Sequence, residues 1–143
     1  MEYSAIPITE LIPQRPPFLM VDRVLASSEE DTETVFVIRE DNILLDGDHL
    51  SAAGLIENMT QSCACRMGCR SVNEDKPIRI GVIGAIKNCC ITRLPSCGET
   101  LHTHVCILEE VLHLTLASVV VKVDGNIIAT SLVKIAMTDI EAK

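Results

Sequence analysis

The residues best equipped for chemistry cluster around the start of one apolar run: His49, Gly54, Glu57 and Gln61. A histidine near its ordinary pKa accepts a proton at neutral pH. A carboxyl set in an apolar helix holds its proton more tightly, because desolvation disfavours the charged form. Together they offer a base and an acid for proton transfer. Gly54 falls in the expected first helical turn, where N–H groups lack intrahelical acceptors and the positive end of the helix dipole points outward; such a place suits an oxygen that gains charge. Gln61 lies one turn past Glu57 on the same face, within reach of its carboxyl. Each residue also has a plainer reading. His49 ends the turn-like Asp46-Gly47-Asp48-His49, Glu57 and Gln61 alone would suit a solvated helix edge, and Gly54 would suit close packing of helix on sheet. Asn58-Met59-Thr60 has the spacing of a glycosylation sequon, which its helical setting makes a coincidence.

The elements that must position these residues follow from periodicity. The Pro-rich turn Ile12-Pro13-Gln14-Arg15-Pro16-Pro17 sends the chain out extended. Phe18 to Leu25 and Thr32 to Arg39 then read as the two strands of a hairpin, with Val35 and Val37 facing one side. Asp41 to Leu50 reads as irregular. Ser51 is a good N-cap for a helix from Ala52 to about Arg70, in which Ile56, Met59, Cys63 and Met67 recur at helical spacing and Leu55 and Ala64 widen the stripe. Four strands follow, at Ile78 to Thr92, Leu101 to Leu108, Leu112 to Val123 and Ile127 to Met137, in an expected antiparallel meander. Asp124-Gly125-Asn126 between the last two is a strong hairpin signal. One long helix with apolar residues over much of its surface must be wrapped by sheet. The expected class is α+β, with residues 1–143 forming a single domain.

Composition narrows the function. A formal net charge of −8 repels phosphate backbones, and two Phe, one Tyr and no Trp furnish no stacking platform, so nucleic acid is excluded as a partner. No apolar run is long enough to span a membrane, and MEYSAIPITE lacks the basic start and apolar stretch of a signal peptide, which places the protein in the cytoplasm as an expectation. Seven cysteines are an odd number for a disulfide framework, and most of them read as small buried apolar residues. Cys63, Cys65 and Cys69 scatter over more than one helical face, and Cys89 and Cys90 are adjacent. His102, His104 and Cys106 share a strand face and are the best metal candidate, yet the usual ligand spacings are missing and no metal site is expected.

At the level of motifs, Leu11-Ile12-Pro13-Gln14-Arg15-Pro16-Pro17-Phe18-Leu19-Met20-Val21-Asp22-Arg23-Val24 resembles the opening motif of the hot-dog 3-hydroxyacyl-acyl-carrier-protein dehydratases. Gly54-Leu55-Ile56-Glu57-Asn58-Met59-Thr60-Gln61 is similar to that family's helix motif. Arg93-Leu94-Pro95-Ser96-Cys97-Gly98-Glu99 and Val123-Asp124-Gly125-Asn126 resemble its later turn and final hairpin. The resemblance runs nearly end to end and implies a hot-dog fold, a curved antiparallel sheet of about six strands wrapped around one long central helix. Two departures stand out. Gln14 replaces a non-catalytic histidine, and only Leu50-Ser51-Ala52-Ala53 separate His49 from Gly54, a shorter run than is usual. That compact spacing resembles the dehydratase-like members associated with aryl polyene and related pathways.

The resemblance implies a (3R)-hydroxyacyl thioester as substrate, carried on acyl carrier protein or CoA, and loss of water to give a trans-2-enoyl thioester. It assigns His49 as base, Glu57 as acid and the Gly54 N–H to the thioester carbonyl. It also implies a homodimer or higher even oligomer in which the histidine of one protomer meets the glutamate of its mate. No metal or redox cofactor is called for, since the elimination is proton transfer alone. An acidic carrier would need a basic cluster, expected among Arg66, Arg70, Lys87 and Arg93. Two alternatives stand beside this reading: an acyl thioesterase using Asp46, Asp48 or Glu57, and a non-catalytic acyl-binding subunit.

Overall fold

The computed structural model describes residues 2–142. After two short 3₁₀ turns, Tyr3–Ala5 and Ile8–Glu10, the chain forms β1 (Arg23–Ser27) and β2 (Asp31–Val37), the small strands β3 (Leu45–Asp46) and β4 (His49–Leu50), and the helix α1 (Ala52–Asn73). Then come β5 (Arg79–Ile91), β6 (Thr100–Val111), β7 (Leu114–Val123) and β8 (Asn126–Glu141). A six-stranded antiparallel sheet runs in the order β1-β2-β6-β7-β8-β5, and β3 and β4 pair apart from it. Strands β1, β2, β5, β6 and β7 all touch α1, which lies in the hollow of the sheet as the hot-dog arrangement requires.

Local chemistry explains the boundaries. The Ser51 hydroxyl accepts the Gly54 N–H at 3.1 Å and starts α1 at the expected residue. At the β7–β8 turn, Asp124 and Gly125 take φ of 50° and 80°, the left-handed pair of a type I′ hairpin. The first strand starts at Arg23 and not at Phe18, because Phe18 and Met20 bond to side chains of the helix instead of a neighbouring strand. The expected meander holds for β6, β7 and β8 but not for β5, which pairs with β8 at the far edge. The segment between β5 and β6 crosses one end of the sheet and is pinned there by Leu50 N–H to Pro95 O, Cys97 N–H to Asp48 O and Gly98 N–H to Ile38 O, each 2.8 Å.

Two apolar layers bury the helix. Leu55, Met59 and Cys63 face the sheet, against Phe36, Leu101, Val105, Val119 and Val121. Cys65 and Cys69 point the other way, into Ile8, Leu11, Ile12, Val21 and Val24. This second cover accounts for a stripe wider than one sheet face needs. Burial pushes the Cys63 thiol up to about 12 and the Cys69 thiol up to about 11, so these cysteines are packing groups and not nucleophiles.

Gly68 sets how closely the amino-terminal segment docks, because a Cβ there would collide with the backbone carbonyl of Leu11. Gly68→Ala is expected to lower stability by about 1–3 kcal/mol, despite alanine's better helix propensity, and thermal denaturation will show it as a reduced Tm.

The helix is also fastened by charge. Glu110 of β6 accepts Arg66 Nη1 at 2.9 Å and Arg70 Nη1 at 3.0 Å, and the bond to Arg66, seconded by Arg70, holds its carboxyl down at about 2. A carboxylate whose folded pKa is depressed adds stability above its unfolded pKa, and that stability fades as pH falls toward the folded value. Glu110→Gln is therefore expected to be less stable than the wild type at pH 7, with the difference shrinking between about pH 4.5 and pH 2 in urea titrations.

Candidate functional site

The candidate site lies where β4 hands the chain to α1. Leu50, fully buried, anchors the junction, and the His49 imidazole next to it stays 48% exposed. His49 pairs across the small hairpin with Asp46 and bridges to Ser96 in the β5–β6 crossing. Its Nδ1 lies 2.7 Å from Asp48 Oδ1. Glu99 belongs to the same β5–β6 crossing. That carboxylate bonds to Arg93 at 2.8 Å and accepts the Ser96 N–H at 2.8 Å, and Arg93 foremost holds it below the usual carboxylate range.

Glu57 stands half-buried on α1, and its Oε1 receives a long bond from Gln61 Nε2 at 3.3 Å. Gln61 does more than orient that carboxyl. Its Oε1 accepts the Met20 N–H at 2.7 Å and its Nε2 donates to Phe18 O at 2.8 Å, so it clamps the Phe18–Met20 segment to the helix. Asn58, which sequence reading passed over as a chance sequon, completes the clamp. It donates to Met20 O and accepts from Thr103 Oγ1, both at 2.7 Å, with no exposed surface. The signal was present in the sequence, since Asn58, Gln61 and Ser62 are polar positions inside an apolar helix and buried polar groups must find partners.

Gly54 is needed sterically. A Cβ there would sit 2.5 Å from Leu50 Cδ1 and 3.1 Å from Leu44 Cβ, so the glycine allows β4 and the loop before it to lie against the first turn. Its N–H is held by Ser51 Oγ. The structure thus brings His49 and Gly54 to one junction, with Glu57 and Gln61 a turn along the helix. A cleft of about 560 Å³ lies elsewhere, between the β1–β2 turn, the second half of α1 and the end of β6, where Arg66, Arg70, Glu29 and Glu110 line it. Arg66 and Arg70 in its wall are paired with Glu110, and it holds none of the four residues.

Other expectations are redrawn by the geometry. The basic cluster is largely neutralised: Arg66 is 6% exposed and bound to Glu110, Arg70 shares that carboxylate, and Arg93 is held by Glu99. Lys87 has no opposite charge within 4.0 Å among the described residues. His102 and His104 lie on the outer sheet face, where His104 Nε2 is 2.8 Å from Asp31. No helix among the described residues is long and apolar enough to cross a membrane.

Known proteins share this architecture. The chain superimposes on the dehydratase heterocomplex ApeI:P from Xenorhabdus doucetiae with a TM-score of 0.88 at 15% identity, covering 94% of this chain and 92% of that one. It also matches Cj0977, a sigma28-regulated virulence protein of Campylobacter jejuni, with a TM-score of 0.71 at 12% identity over 92% of this chain and 85% of that one. A hypothetical thioesterase with coenzyme A from Streptococcus pneumoniae matches with a TM-score of 0.65 at 9% identity over 80% and 84% of the two chains. At such identities the likeness is one of fold. No curated protein sequence matches the chain. The ApeP dehydratase family model matches residues 6–142, and with both motif order and fold in agreement, the chain belongs to the ApeP-like dehydratases.

Proposed function

We propose that this chain is a (3R)-hydroxyacyl thioester dehydratase, with His49 as base, Glu57 as acid and the first turn of α1 receiving the thioester carbonyl. The observation that carries the reading is the family match over residues 6–142, together with a histidine just before the central helix and a half-buried glutamate on it. His49 removes a proton from C2. The electron pair forms the C2–C3 double bond, and the C3 hydroxyl leaves as water with the proton from Glu57. Charge passing onto the carbonyl oxygen is met at the helix start, where the Gly54 N–H exchanges its bond to Ser51 for the substrate oxygen. The products are water and a trans-2-enoyl thioester, and no metal or redox cofactor enters the balance. The acyl group travels on acyl carrier protein or CoA, in the cytoplasm.

The working unit in this reading is a pair of chains, with His49 of one facing Glu57 of the other. Open exposure of His49 supports it, because elimination needs a site that excludes water. Strand β5 supports it too. This 13-residue strand has an unpaired edge, yet Val82, Ile83 and Ile86 expose apolar side chains on both of its faces, the composition of a strand with neighbours on either side. The Xenorhabdus protein is part of a heterocomplex, so a related but different hot-dog subunit is the second candidate for that place.

Purified protein, alone and with such a subunit, should convert 3-hydroxyacyl thioesters of several chain lengths to enoyl thioesters, followed by enoyl absorbance. His49→Ala and Glu57→Gln should each lower kcat by about 10²–10⁴ while leaving the fold intact. Release of free thiol in place of enoyl product would mark a thioesterase. A wild type inert in both settings, or variants as active as the wild type, would remove the catalytic assignment and leave an acyl-binding subunit.

A further inference from the structure

The outer face of the sheet, which no part of the proposed reaction uses, has an order of its own. On β7 the inward positions Thr115, Ala117, Val119, Val121 and Val123 are buried, so Leu114, Leu116, Ser118 and Val120 point outward. Register extends each outward position into a row across the sheet. In the first row Val111 of β6, Leu114 of β7, Ala136 of β8 and Val82 of β5 lie side by side. Val111, Leu114 and Val82 are 54%, 61% and 51% exposed, and Leu112 at the adjoining turn is 93% exposed. Four adjacent strands therefore present one apolar band to the outside. Isolated surface leucines need no explanation, but a contiguous band at one end of a sheet is the signature of a contact surface.

Charges in the next rows say what that surface fits. The second row runs Glu109, Leu116, Lys134, Ala85, and the third runs Asp31, Cys106, Ser118, Leu132, Lys87. Acids stand on the β2–β6 side of β7 and bases stand on the β8–β5 side. Glu109 and Lys134 are each one strand from β7, and Asp31 and Lys87 are each two strands from it. A twofold axis parallel to β7 exchanges the two sides while keeping each residue in its row. It would lay Glu109 over the Lys134 of a second copy and Asp31 over that copy's Lys87, with Leu114 and Leu116 meeting their own counterparts on the axis. Within one chain Glu109, Lys134 and Lys87 have no opposite charge within 4.0 Å among the described residues, whereas Asp31 is engaged by His104. Arg23, His102 and Lys122 lie in a further row at the opposite end, away from the band.

We infer that the outer sheet face is a self-complementary interface, on which two copies of this chain pack sheet to sheet about an axis along β7. The apolar band supplies the attraction. The crossed acid–base pairs fix orientation, since exposed pairs add little affinity but disfavour misaligned contact. The face includes outward side chains of β5 but leaves that strand's unpaired backbone edge free, so the contact joins edge-paired dimers into a larger even assembly or joins single chains into a dimer.

Sedimentation equilibrium of the full chain decides the point. Lys134→Glu and Glu109→Lys shift net charge in opposite directions, so general repulsion cannot explain a shared effect. Each is expected to halve the particle mass at concentrations where the wild type is intact, and the double swap is expected to restore it. Leu114→Asp should halve it as well, and far-ultraviolet circular dichroism will report whether each variant keeps its fold. A wild type that sediments as one chain, a mass unchanged in all the single variants, or a double swap no better than its parents would overturn the inference. Enoyl formation tests the dehydratase reading separately: only the first of these outcomes also removes the same-chain pair proposed for that site, and the other two leave it untouched.

Discussion

Everything in this molecule depends on covering one helix. The 22 residues of α1 carry apolar or small side chains around most of their circumference, and no single surface can bury them all. The chain meets the demand from two sides, with a curved sheet against Leu55, Met59 and Cys63 and the amino-terminal segment against Cys65 and Cys69. At roughly 25 cal/mol per Å² of apolar surface removed from water, such double coverage is the dominant favourable contribution to folding. Buried polar groups then decide how the covers attach. Asn58 and Gln61 hold the Phe18–Met20 segment, and Ser62 shares a 2.8 Å bond with Thr34 of β2. An unpaired donor or acceptor in this position costs about 1–3 kcal/mol, so these bonds select one docking geometry from many that apolar contact alone would permit.

The functional junction follows from that fastening. Because Gly54 lets Leu50 and Leu44 lie against the first turn, β4 arrives beside the helix start and brings His49 with it. Because Gln61 is committed to Phe18 and Met20, its remaining bond to Glu57 is long, 3.3 Å. The same residues that a stability account needs therefore also position the two groups proposed as base and acid. Their presence in the helix serves both demands.

How much of this was legible depends on the range of the interaction. Ser51 as N-cap and Asp124-Gly125 as hairpin turn are local, and both could be read from neighbouring residues. The helix itself was legible from the recurrence of Ile56, Met59, Cys63 and Met67. The place of β5 was not, because adjacency in sequence and alternation of side chains leave open whether a strand pairs forward with β6 or across with β8. Likewise, Arg66, Arg70 and Arg93 looked like free cations, since the carboxylates that bind them, Glu110 and Glu99, are matched only by the folded register. At the candidate site, residue types suggested the chemistry now proposed, whereas Ser51's hold on Gly54 and the Asn58 clamp required coordinates.

Net charge fits this picture better by position than by sum. A chain at −8 should repel its own copies, and an acidic partner equally. Yet β5 from Arg79 to Ile91 contains no acid, and while Arg79 lies 3.8 Å from Asp139, Lys87 has no opposite charge within 4.0 Å among the described residues. Across the outer face the sign changes from the β2–β6 side to the β8–β5 side, which makes the face attractive to itself in one orientation and repulsive in others. Screening over roughly 8 Å at physiological ionic strength leaves such local patterns in command once surfaces approach, while the total charge acts mainly to keep unaligned copies apart. An acidic sum with ordered local exceptions therefore favours specific assembly over indiscriminate association.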